Sequence, residues 1–435
     1  MNSFDEVVTI FVGQAGTQVS NACWELLCLE HGIEPNGFFN RANESLEKSC
    51  CVFFEPLQRK FSPRTVVVDL EPTVIDEIRI GPYRNLFNSH SLITGKEDAA
   101  NNFARGFHSI DRQMKDIILD RVRIMCEKCS NLNGFIISRA VGGGTGSGLA
   151  TLLLEYLNED YAKKTKLDFA IYPAPNISTA IVEPYNAILT THHTLDYKDC
   201  CFVTDNEALY DICRKLEVQS PMYTNLNRVQ AQVFSNITAS LRLNDSRNCN
   251  LQEIQTNLVP YPRIHFPLIA FAPIISPEKG QYNLSIRNIT YDCFQPANQM
   301  LRCDPRKGTY IACSLLYRGD VNVFDVKDAI AFLKNKGSIR FVDWCKNCYK
   351  ITINRHPIVT IPGGDLANKK QTVTSLCNNT IIRHAWTRLL RKFDLMYQKK
   401  AFFHHYLAEG MEEKDFQDAR DNICTLLEDY IQLET

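Results

Sequence analysis

A glycine-rich segment at residues 142–148, GGGTGSG, has the composition of a turn that binds phosphate. It follows an apolar run at residues 135–137, and apolar residues recur at helical spacing from Leu149 to Leu157. Glycines let backbone N–H groups approach an anion closely, and the following helix adds the positive end of its dipole. The segment therefore predicts a strand, a phosphate-binding turn and a helix in succession.

This turn matches neither of the common nucleotide fingerprints. A P-loop has Lys and then Ser or Thr after its last glycine, where this chain has Leu149 and Ala150. The dinucleotide pattern requires Gly or Ala at the position of Ser147. We therefore expect backbone dipoles, a metal ion or both to balance the charge of a phosphate. The alternative is a glycine-rich surface turn without a ligand.

Two carboxylates, Asp69 and Glu71, stand at the end of a second predicted strand, residues 65–68. Their spacing places them on the same side of the strand, which suits ligation of Mg²⁺ directly or through water. Helix capping is an equally good interpretation, because Pro72 favours the first turn of a helix and acidic residues favour its start.

A third segment, residues 96–102, precedes a long helical pattern that extends through Cys126. Its small residues leave backbone N–H groups accessible to a phosphate, although Asp98 is equally suited to cap the helix. Residues 13–16 form a further glycine turn between a strand at 7–12 and a helix beginning near Thr17. Several strands thus deliver polar or glycine-containing loops to one edge.

Two later strands extend this arrangement. The strand at 167–172 leads into a loop with Thr179 and Glu183, and the strand at 201–204 ends beside Asn206. Alternating strands and helices predict an α/β fold with a mostly parallel sheet, helices on both faces and a ligand at the carboxyl ends of the strands. Tyr223 has the chemistry to stack on a base and Asn227 to bond its edge; capping or packing is the alternative for each.

The remaining regions give coarser predictions. Residues 36–64 lose periodicity and predict a surface loop, whereas residues 260–381 again alternate strands and helices. From about Ile382 the pattern is helical to the end. Four acidic residues, at 412, 415, 418 and 421, share one helical face there, which predicts a solvated surface or a docking face for a basic partner.

Composition excludes several classes of protein. The chain has 48 basic and 49 acidic residues, so its overall charge does not indicate nucleic-acid binding. No apolar run approaches the length of a membrane span, and the first residues lack the pattern of a secretory signal. The 17 cysteines are scattered, as expected for reduced thiols in the cytoplasm. A zinc site joining the pair Cys126 and Cys129 to the pair Cys345 and Cys348 is disfavoured by their separation.

Several longer segments are similar in sequence to α-tubulins. These segments are the turn at 142–148 and residues 68–73, 95–102, 259–267, 303–306, 341–345, 362–367 and 392–397. They occur in order and extend over nearly the whole chain. The chain is thus identified as a member of the tubulin family. It resembles the α type because residues 362–367 are similar to an insertion found in α chains.

The resemblance implies a GTP-binding domain at 1–206, a smaller mixed α/β intermediate domain at 207–381 with a core helix at about 223–243, and a C-terminal helical hairpin region at 382–435. It implies GTP and Mg²⁺ as cofactors, pairing with β-tubulin, and assembly with other tubulin dimers into cytoplasmic microtubules. The resemblance further implies motors and microtubule-associated proteins as partners on the acidic C-terminal helix. Nucleic acid and membranes are not expected as partners.

The same resemblance assigns roles to individual residues. Those expected to contact GTP are Gln14, Glu71, Asp98, Ala99, Ala100, Asn101, Gly143, Gly144, Thr145, Gly146, Thr179, Glu183, Asn206, Tyr223 and Asn227. Glu71 and Asp69 serve the Mg²⁺ site, and Asn206, Tyr223 and Asn227 contact guanine. Glu253 corresponds to a catalytic acid that acts in trans on the GTP of the next dimer's β subunit, while the α subunit's own GTP stays trapped and unhydrolysed.

The chain also departs from the family's usual sequence. Ala140 stands where Ser is usual, and Asn250 replaces an Asp near Glu253. Residues 276–288, which resemble the lateral-contact loop, are one residue short, the 36–64 loop is shorter than usual, and the sequence given lacks a glutamate-rich tail. The altered lateral-contact loop and the missing tail support an alternative function, a GTP-binding protein that dimerises but polymerises poorly. A Rossmann-type oxidoreductase is disfavoured by the absent fingerprint.

Overall fold

The computed structural model describes residues 5–39, 47–58, 60–110, 112–243, 250–279, 284–337, 339–345 and 348–434. The strands are β1 (Glu6–Val12), β2 (Phe54–Leu57), β3 (Lys60–Pro63), β4 (Thr65–Asp69), β5 (Leu92–Thr94), β6 (Leu132–Ala140), β7 (Thr165–Tyr172), β8 (Cys200–Asp205), β9 (Leu268–Ala272), β10 (Tyr310–Gly319), β11 (Tyr349–Asn354) and β12 (Gln371–Asn379).

The α-helices surround these strands. They are α1 (Gly13–His31), α2 (Glu47–Cys50), α3 (Pro72–Ile80), α4 (Phe103–His108), α5 (Arg112–Glu127), α6 (Ala150–Asp160), α7 (Glu183–Thr194), α8 (Asn206–Lys215), α9 (Tyr223–Arg242), α10 (Leu251–Leu258), α11 (Ile286–Asp292), α12 (Val323–Lys336), α13 (Arg383–Tyr397), α14 (Phe403–Ala408) and α15 (Glu413–Gln432).

Ten strands form one sheet in the order β11-β10-β12-β9-β8-β7-β6-β1-β4-β5. The seven strands from β9 to β5 in this order are parallel to one another, and β12 runs antiparallel to both β9 and β10. A single residue pair, Val203 with Leu268, joins β8 to β9. The predicted mostly parallel α/β fold is confirmed, and α13, α14 and α15 supply the helical C-terminal region. The boundaries at 206 and 381 stay predictions.

Strand β1 shows how the sheet is covered on both faces. Val7 and Phe11 pack in a core with residues of α1, whereas Val8 and Ile10 pack in another core with residues of α5 and α6. Because alternate residues of a strand point to opposite faces, a strand that is apolar throughout requires helices on both sides. The apolar residues on both faces of β1 therefore specify its position between two layers of helices.

Three local predictions were wrong. Residues 36–64 are not simply a surface loop: β2 and β3 pair as a hairpin, and Phe54 packs edge-on against Trp24 at 5.3 Å between ring centroids. The helical pattern before Cys126 is broken into α4 and α5, where the hydroxyl of Ser109 bonds Glu409 of the C-terminal region. Helix α1 begins at Gly13 rather than near Thr17. The hairpin and the break between α4 and α5 depend on tertiary packing, which the spacing of residues in the sequence does not reveal.

The cysteines depart from expectation in one place. Cys345 and Cys348 form a disulfide, with their Cα atoms 5.8 Å apart, so this pair is not a dithiol ligand for zinc. In the part of the chain that the structure describes, no helix is both long and apolar enough to cross a membrane.

A buried ionic cluster connects the two halves of the sheet. Glu30 of α1 accepts hydrogen bonds from Arg242 of α9 at 2.5 Å, from Arg318 of β10 at 2.7 Å and from Ser235 at 2.7 Å. Burial alone would raise the pKa of Glu30, but Arg242 and Arg318 outweigh it and bring the pKa to about 2. Burial, together with Arg242, lowers the pKa of His31 to about 3.

The cluster predicts that acid destabilises the fold in two stages. Burial lowers the pKa of His31 to about 3, so the unfolded chain binds a proton that the folded chain does not, and stability falls as the pH drops below about 6.5. The stabilisation that ionised Glu30 gives the folded chain is lost as the pH falls from about 4.5 towards 2.

We expect His31→Gln to reduce the slope of unfolding free energy against pH by up to about 1.4 kcal/mol per pH unit between pH 4 and 6. Denaturant titrations across this range measure the slope. His404→Gln, at an exposed position, controls for the loss of an imidazole. Equal slopes in the two variants would contradict the prediction.

Candidate nucleotide-binding site

At the carboxyl ends of β1 and β6, the first residue of α1 lies against the backbone of the glycine-rich turn. Gly13 has φ of 75°, and a Cβ added there would lie 3.2 Å from the amide nitrogen of Gly146. Helix α1 begins at Gly13 without a side-chain cap and without an acidic residue in its first turn. Its first N–H groups therefore lack intrahelical partners and are suited to an anion. Gln14 is exposed at the same point.

The glycine-rich turn itself leads into a single π-helical turn, Thr145–Leu149, which also has no side-chain cap. Ser147 donates its hydroxyl to the carbonyl oxygen of Gly143 within the turn. A Cβ on Gly144 would lie 2.7 Å from both the Ala99 side chain and the Asn102 amide nitrogen. The turn is thus packed against the 98–102 loop. This arrangement confirms the predicted order of strand, turn and helix.

A buried arginine supports the turn from below. Arg139 of β6 bonds Asp168 of β7 at 2.9 Å, Thr190 of α7 at 2.8 Å and the carbonyl oxygen of Gly146 at 3.4 Å. Burial alone would raise the pKa of Asp168, but Arg139 and Lys198 outweigh it and hold it below its usual range. The Arg139 side chain therefore holds the glycine-rich turn through the carbonyl oxygen of Gly146, from the buried side of the turn.

The 98–102 loop has an unusual backbone. Ala100 and Asn101 are consecutive residues with φ of 48° and 55°, a left-handed conformation that costs about 1–2 kcal/mol for each non-glycine residue. Asp98 accepts a hydrogen bond from the amide of Ala100 at 3.1 Å, and Asn102 caps α4 by accepting from Ala104 at 2.9 Å. Helix capping is therefore the role of Asn102, and Asp98 instead shapes the loop.

Asp69 is a buried carboxylate with an unused oxygen. Its Oδ1 lies 3.5 Å from the amide of Glu71, while its Oδ2 has no hydrogen-bond partner in the described structure. Burial raises the pKa of Asp69 to about 7, outweighing backbone hydrogen bonds from Glu71 and Leu70 that lower it, and the charges of Asp98 and Glu71 add smaller increases. Glu71 occupies the N-cap position of α3 but its side chain does not cap the helix, and it accepts instead from Thr73 at 2.5 Å. Helix capping alone therefore does not explain why Asp69 and Glu71 stand at this position.

An oxygen without a partner and two nearby carboxylates fit the preference of Mg²⁺ for oxygen ligands. Within the described residues, however, no three His, Cys, Asp or Glu side chains are grouped closely enough to hold a metal by themselves. A metal here would need further ligands from a bound phosphate or from water.

Thr179 and Glu183 meet beside the glycine-rich turn. The amide and hydroxyl of Thr179 both donate to Glu183, at 2.9 and 2.6 Å. A Cβ on Gly142 would lie 3.0 Å from Cγ of Glu183. A cavity of about 800 Å³ adjoins this pair, between the 173–184 loop and α13. The loop's polar groups are therefore placed next to the predicted phosphate site.

The three residues predicted to contact a base lie on α8 and α9. Asn206 is the first residue of α8, directly after β8. Tyr223 and Asn227 stand one helical turn apart at the start of α9, so they share a face, and Tyr223 is 47% exposed. Because their contacts depend on the ligand, recognition of guanine stays a prediction.

Glu253 lies at the opposite end of the strands. The amide of Leu251 in α10 donates to Asn133 at 3.0 Å, and the Leu251 side chain approaches Gly134, which pairs with Thr165 at the start of β7. Strand β6 has nine residues, so its ends are about 25 Å apart. Glu253 is therefore remote from the glycine-rich turn of its own chain, and its side chain pairs with Lys350.

One buried residue at the site was missed by sequence analysis. Asn186 of α7 donates to the carbonyl oxygens of Asn101 and Gly142, both at 2.7 Å. Its Oδ1 accepts from the amide of Phe103 at 3.0 Å and from the hydroxyl of Tyr406 at 2.7 Å. Nothing in the local sequence distinguishes this Asn from a helical surface residue.

A parallel sheet with uncapped helix N-termini and acidic groups at its carboxyl edge defines a class of nucleotide-binding proteins. Residues 6–214 match the Tubulin/FtsZ family, GTPase domain, and residues 262–391 match the Tubulin C-terminal domain. The chain is 55% identical over 428 residues to the tubulin alpha-2 chain of Caenorhabditis elegans, covering 98% of this chain and 96% of that protein. The chain belongs to the tubulin family, in its α type, and is a GTP-binding tubulin subunit.

The packing of the glycine-rich turn predicts different effects of two neighbouring substitutions. Gly144→Ala places a methyl group 2.7 Å from Ala99 and Asn102, whereas the nearest atom to a methyl group at Gly143 is 3.7 Å away. We expect Gly144→Ala to lower the free energy of unfolding by about 1–3 kcal/mol. Gly143→Ala is the matched control, with an expected change below about 0.5 kcal/mol. Chemical denaturation measures both, and similar losses would refute the described packing.

Proposed function

We propose that the chain is an α-tubulin-type subunit that pairs with β-tubulin and polymerises into cytoplasmic microtubules. Its own nucleotide would be GTP, held at the carboxyl edge of the sheet. The observation that carries this proposal is the placement of the glycine-rich turn and Glu253 at opposite ends of the same strands. A subunit built in this way has one end suited to bind nucleotide and another suited to act on a neighbour's nucleotide.

The phosphates would contact the backbone amides of the two glycine turns and of the 98–102 loop. Support comes from the two uncapped helix starts, at Gly13 and after Gly144, and from the exposed side chain of Gln14. Asp69 and Glu71 would serve Mg²⁺, which neutralises phosphate charge when bound. Thr179 and Glu183 would lie near the sugar, and Asn206, Tyr223 and Asn227 would contact guanine.

Glu253 would act in trans, as the acid that orients water at the nucleotide of the next dimer's β subunit. A distance of about the length of β6 separates it from its own chain's turn, which favours action on a neighbour over action in cis. Lys350 pairs with Glu253, and both side chains are more than one-third exposed, so the acid is accessible at a surface. Phosphoryl transfer of this kind depends on positioning and charge.

One of the departures from the family's usual residues has a structural explanation. Asn250 caps α10 by accepting a hydrogen bond from the amide of Glu253 at 2.8 Å, a role that Asn fills as well as Asp. Ala140 ends β6, and nothing in the structure explains Ala in place of Ser there. The shortened segment at residues 276–288 falls partly outside the described residues, at 280–283.

The trans role predicts that Glu253→Gln suppresses GTP hydrolysis in assembled polymer by about 100-fold or more, because a neutral amide cannot serve as the acid or base. Phosphate release per polymerised dimer measures this effect. Glu413→Gln removes another exposed Lys–Glu pair, the one with Lys400, and controls for the loss of a surface charge. An unchanged hydrolysis rate in the Glu253 variant would reject the role.

Polymerisation has its own test. We expect the tagged full chain, expressed in cells with abundant β-tubulin, to be enriched together with β-tubulin in the microtubule pellet. A stable complex with β-tubulin that remains in the supernatant would contradict polymerisation and favour the non-polymerising alternative. Cosedimentation after depolymerisation and a second assembly cycle distinguishes incorporation from trapping.

A further inference from the structure

We infer that Asn186, held by Tyr406 of the C-terminal region, is a positioning residue that fixes the 98–102 loop against the glycine-rich turn; its functional consequence rests on the nucleotide-binding role proposed above. Asn186 is fully buried, and its side chain makes four hydrogen bonds. A side-chain amide offers two donor hydrogens and two acceptor lone pairs, so its whole capacity is used.

The two donated bonds connect the two phosphate-binding segments to each other. Nδ2 of Asn186 bonds the carbonyl oxygens of Asn101 and Gly142, each at 2.7 Å. Asn101 has the left-handed conformation described above, with φ of 55°, so its carbonyl direction must be maintained by surrounding contacts. One amide group therefore fixes the relative position of two segments that are far apart in the sequence.

The accepted bonds connect these segments to other elements. Oδ1 of Asn186 accepts from the amide of Phe103, the first residue of α4, at 3.0 Å. It also accepts from the hydroxyl of Tyr406 in α14, at 2.7 Å. The orientation of the amide is thus determined on one side by α4 and on the other by the C-terminal region.

A second contact joins the same two parts of the molecule. The side chain of Asn102 donates to the carbonyl oxygen of His405 at 3.0 Å, next to Tyr406 on α14. Helix α14 therefore touches the loop directly through Asn102 and indirectly through Asn186. This arrangement points to the C-terminal helices as part of the support for the nucleotide site.

Two tyrosines provide a matched pair of variants. Tyr406 and Tyr185 are both buried, and their rings pack edge to face with centroids 5.6 Å apart. The hydroxyl of Tyr406 bonds Asn186, whereas the hydroxyl of Tyr185 has no hydrogen-bond partner in the described structure. Tyr406→Phe and Tyr185→Phe remove the same atom from adjacent rings, and only the first removes a bond to Asn186.

The experiment uses the full chain purified in complex with coexpressed β-tubulin. Amide hydrogen exchange in peptides covering residues 95–108 and 142–149 reports on the loops. The release rate of the slowly exchanging guanine nucleotide, measured with labelled GTP in excess, reports on the site. We expect Tyr406→Phe to raise both rates about fivefold, as for the loss of one buried hydrogen bond, and Tyr185→Phe to leave them near the wild-type values.

Asn186→Asp is the stronger variant. It retains an acceptor for Phe103 and Tyr406 but places an oxygen against the carbonyl oxygens of Asn101 and Gly142. We therefore expect both the amide exchange rates and the nucleotide release rate to rise about tenfold or more. Equal rates in Tyr406→Phe and Tyr185→Phe would overturn the inference, even if the wild type holds nucleotide. A wild-type complex whose only guanine nucleotide exchanges freely would overturn the proposed GTP site. In that case, the comparison of amide exchange rates between Tyr406→Phe and Tyr185→Phe would still test the positioning role of Asn186.

Discussion

The nucleotide edge depends on a close approach of two backbones. Gly13 and Gly146 are near enough that a side chain on Gly13 would contact the amide of Gly146, and both turns start helices that lack side-chain caps. Two sets of unpaired N–H groups consequently face the same region, where their partial positive charges add. In the proposed site these amides would take the place of a P-loop lysine, and buried Arg139 and Asn186 bond the carbonyl oxygens of the adjoining loops.

Specific contacts also join the two halves of the sheet. A single residue pair joins β8 to β9, and the buried Glu30 carboxylate links α1, α9 and β10 through Arg242 and Arg318. Removing one member of such a cluster would leave a charge buried without its partner, which is costly in a region of low polarity. The ionic cluster therefore acts as a specific side-chain connection between α1, α9 and β10.

Local spacing predicted the strand, turn and helix units because glycine positions and apolar periodicity act over a few residues. It also predicted the shared edge, since parallel strands bring their carboxyl ends together. It did not predict the hairpin formed by β2 and β3 or the break between α4 and α5, which depend on tertiary contacts. Asn186 was missed for the same reason: its partners Asn101 and Tyr406 are 85 and 220 residues away in the sequence.

The opposite placement of the glycine-rich turn and α10 has a consequence for symmetry. A pair of subunits related by a two-fold axis joins identical surfaces and forms a closed assembly. In such a pair, the glycine-rich turn of one subunit would not meet α10 of the other. Contact between unlike ends instead leaves one unmatched end at each extremity, and such an arrangement extends as an open filament unless it curves into a ring. A filament of this kind would have a direction, because the surfaces at its two extremities would differ chemically.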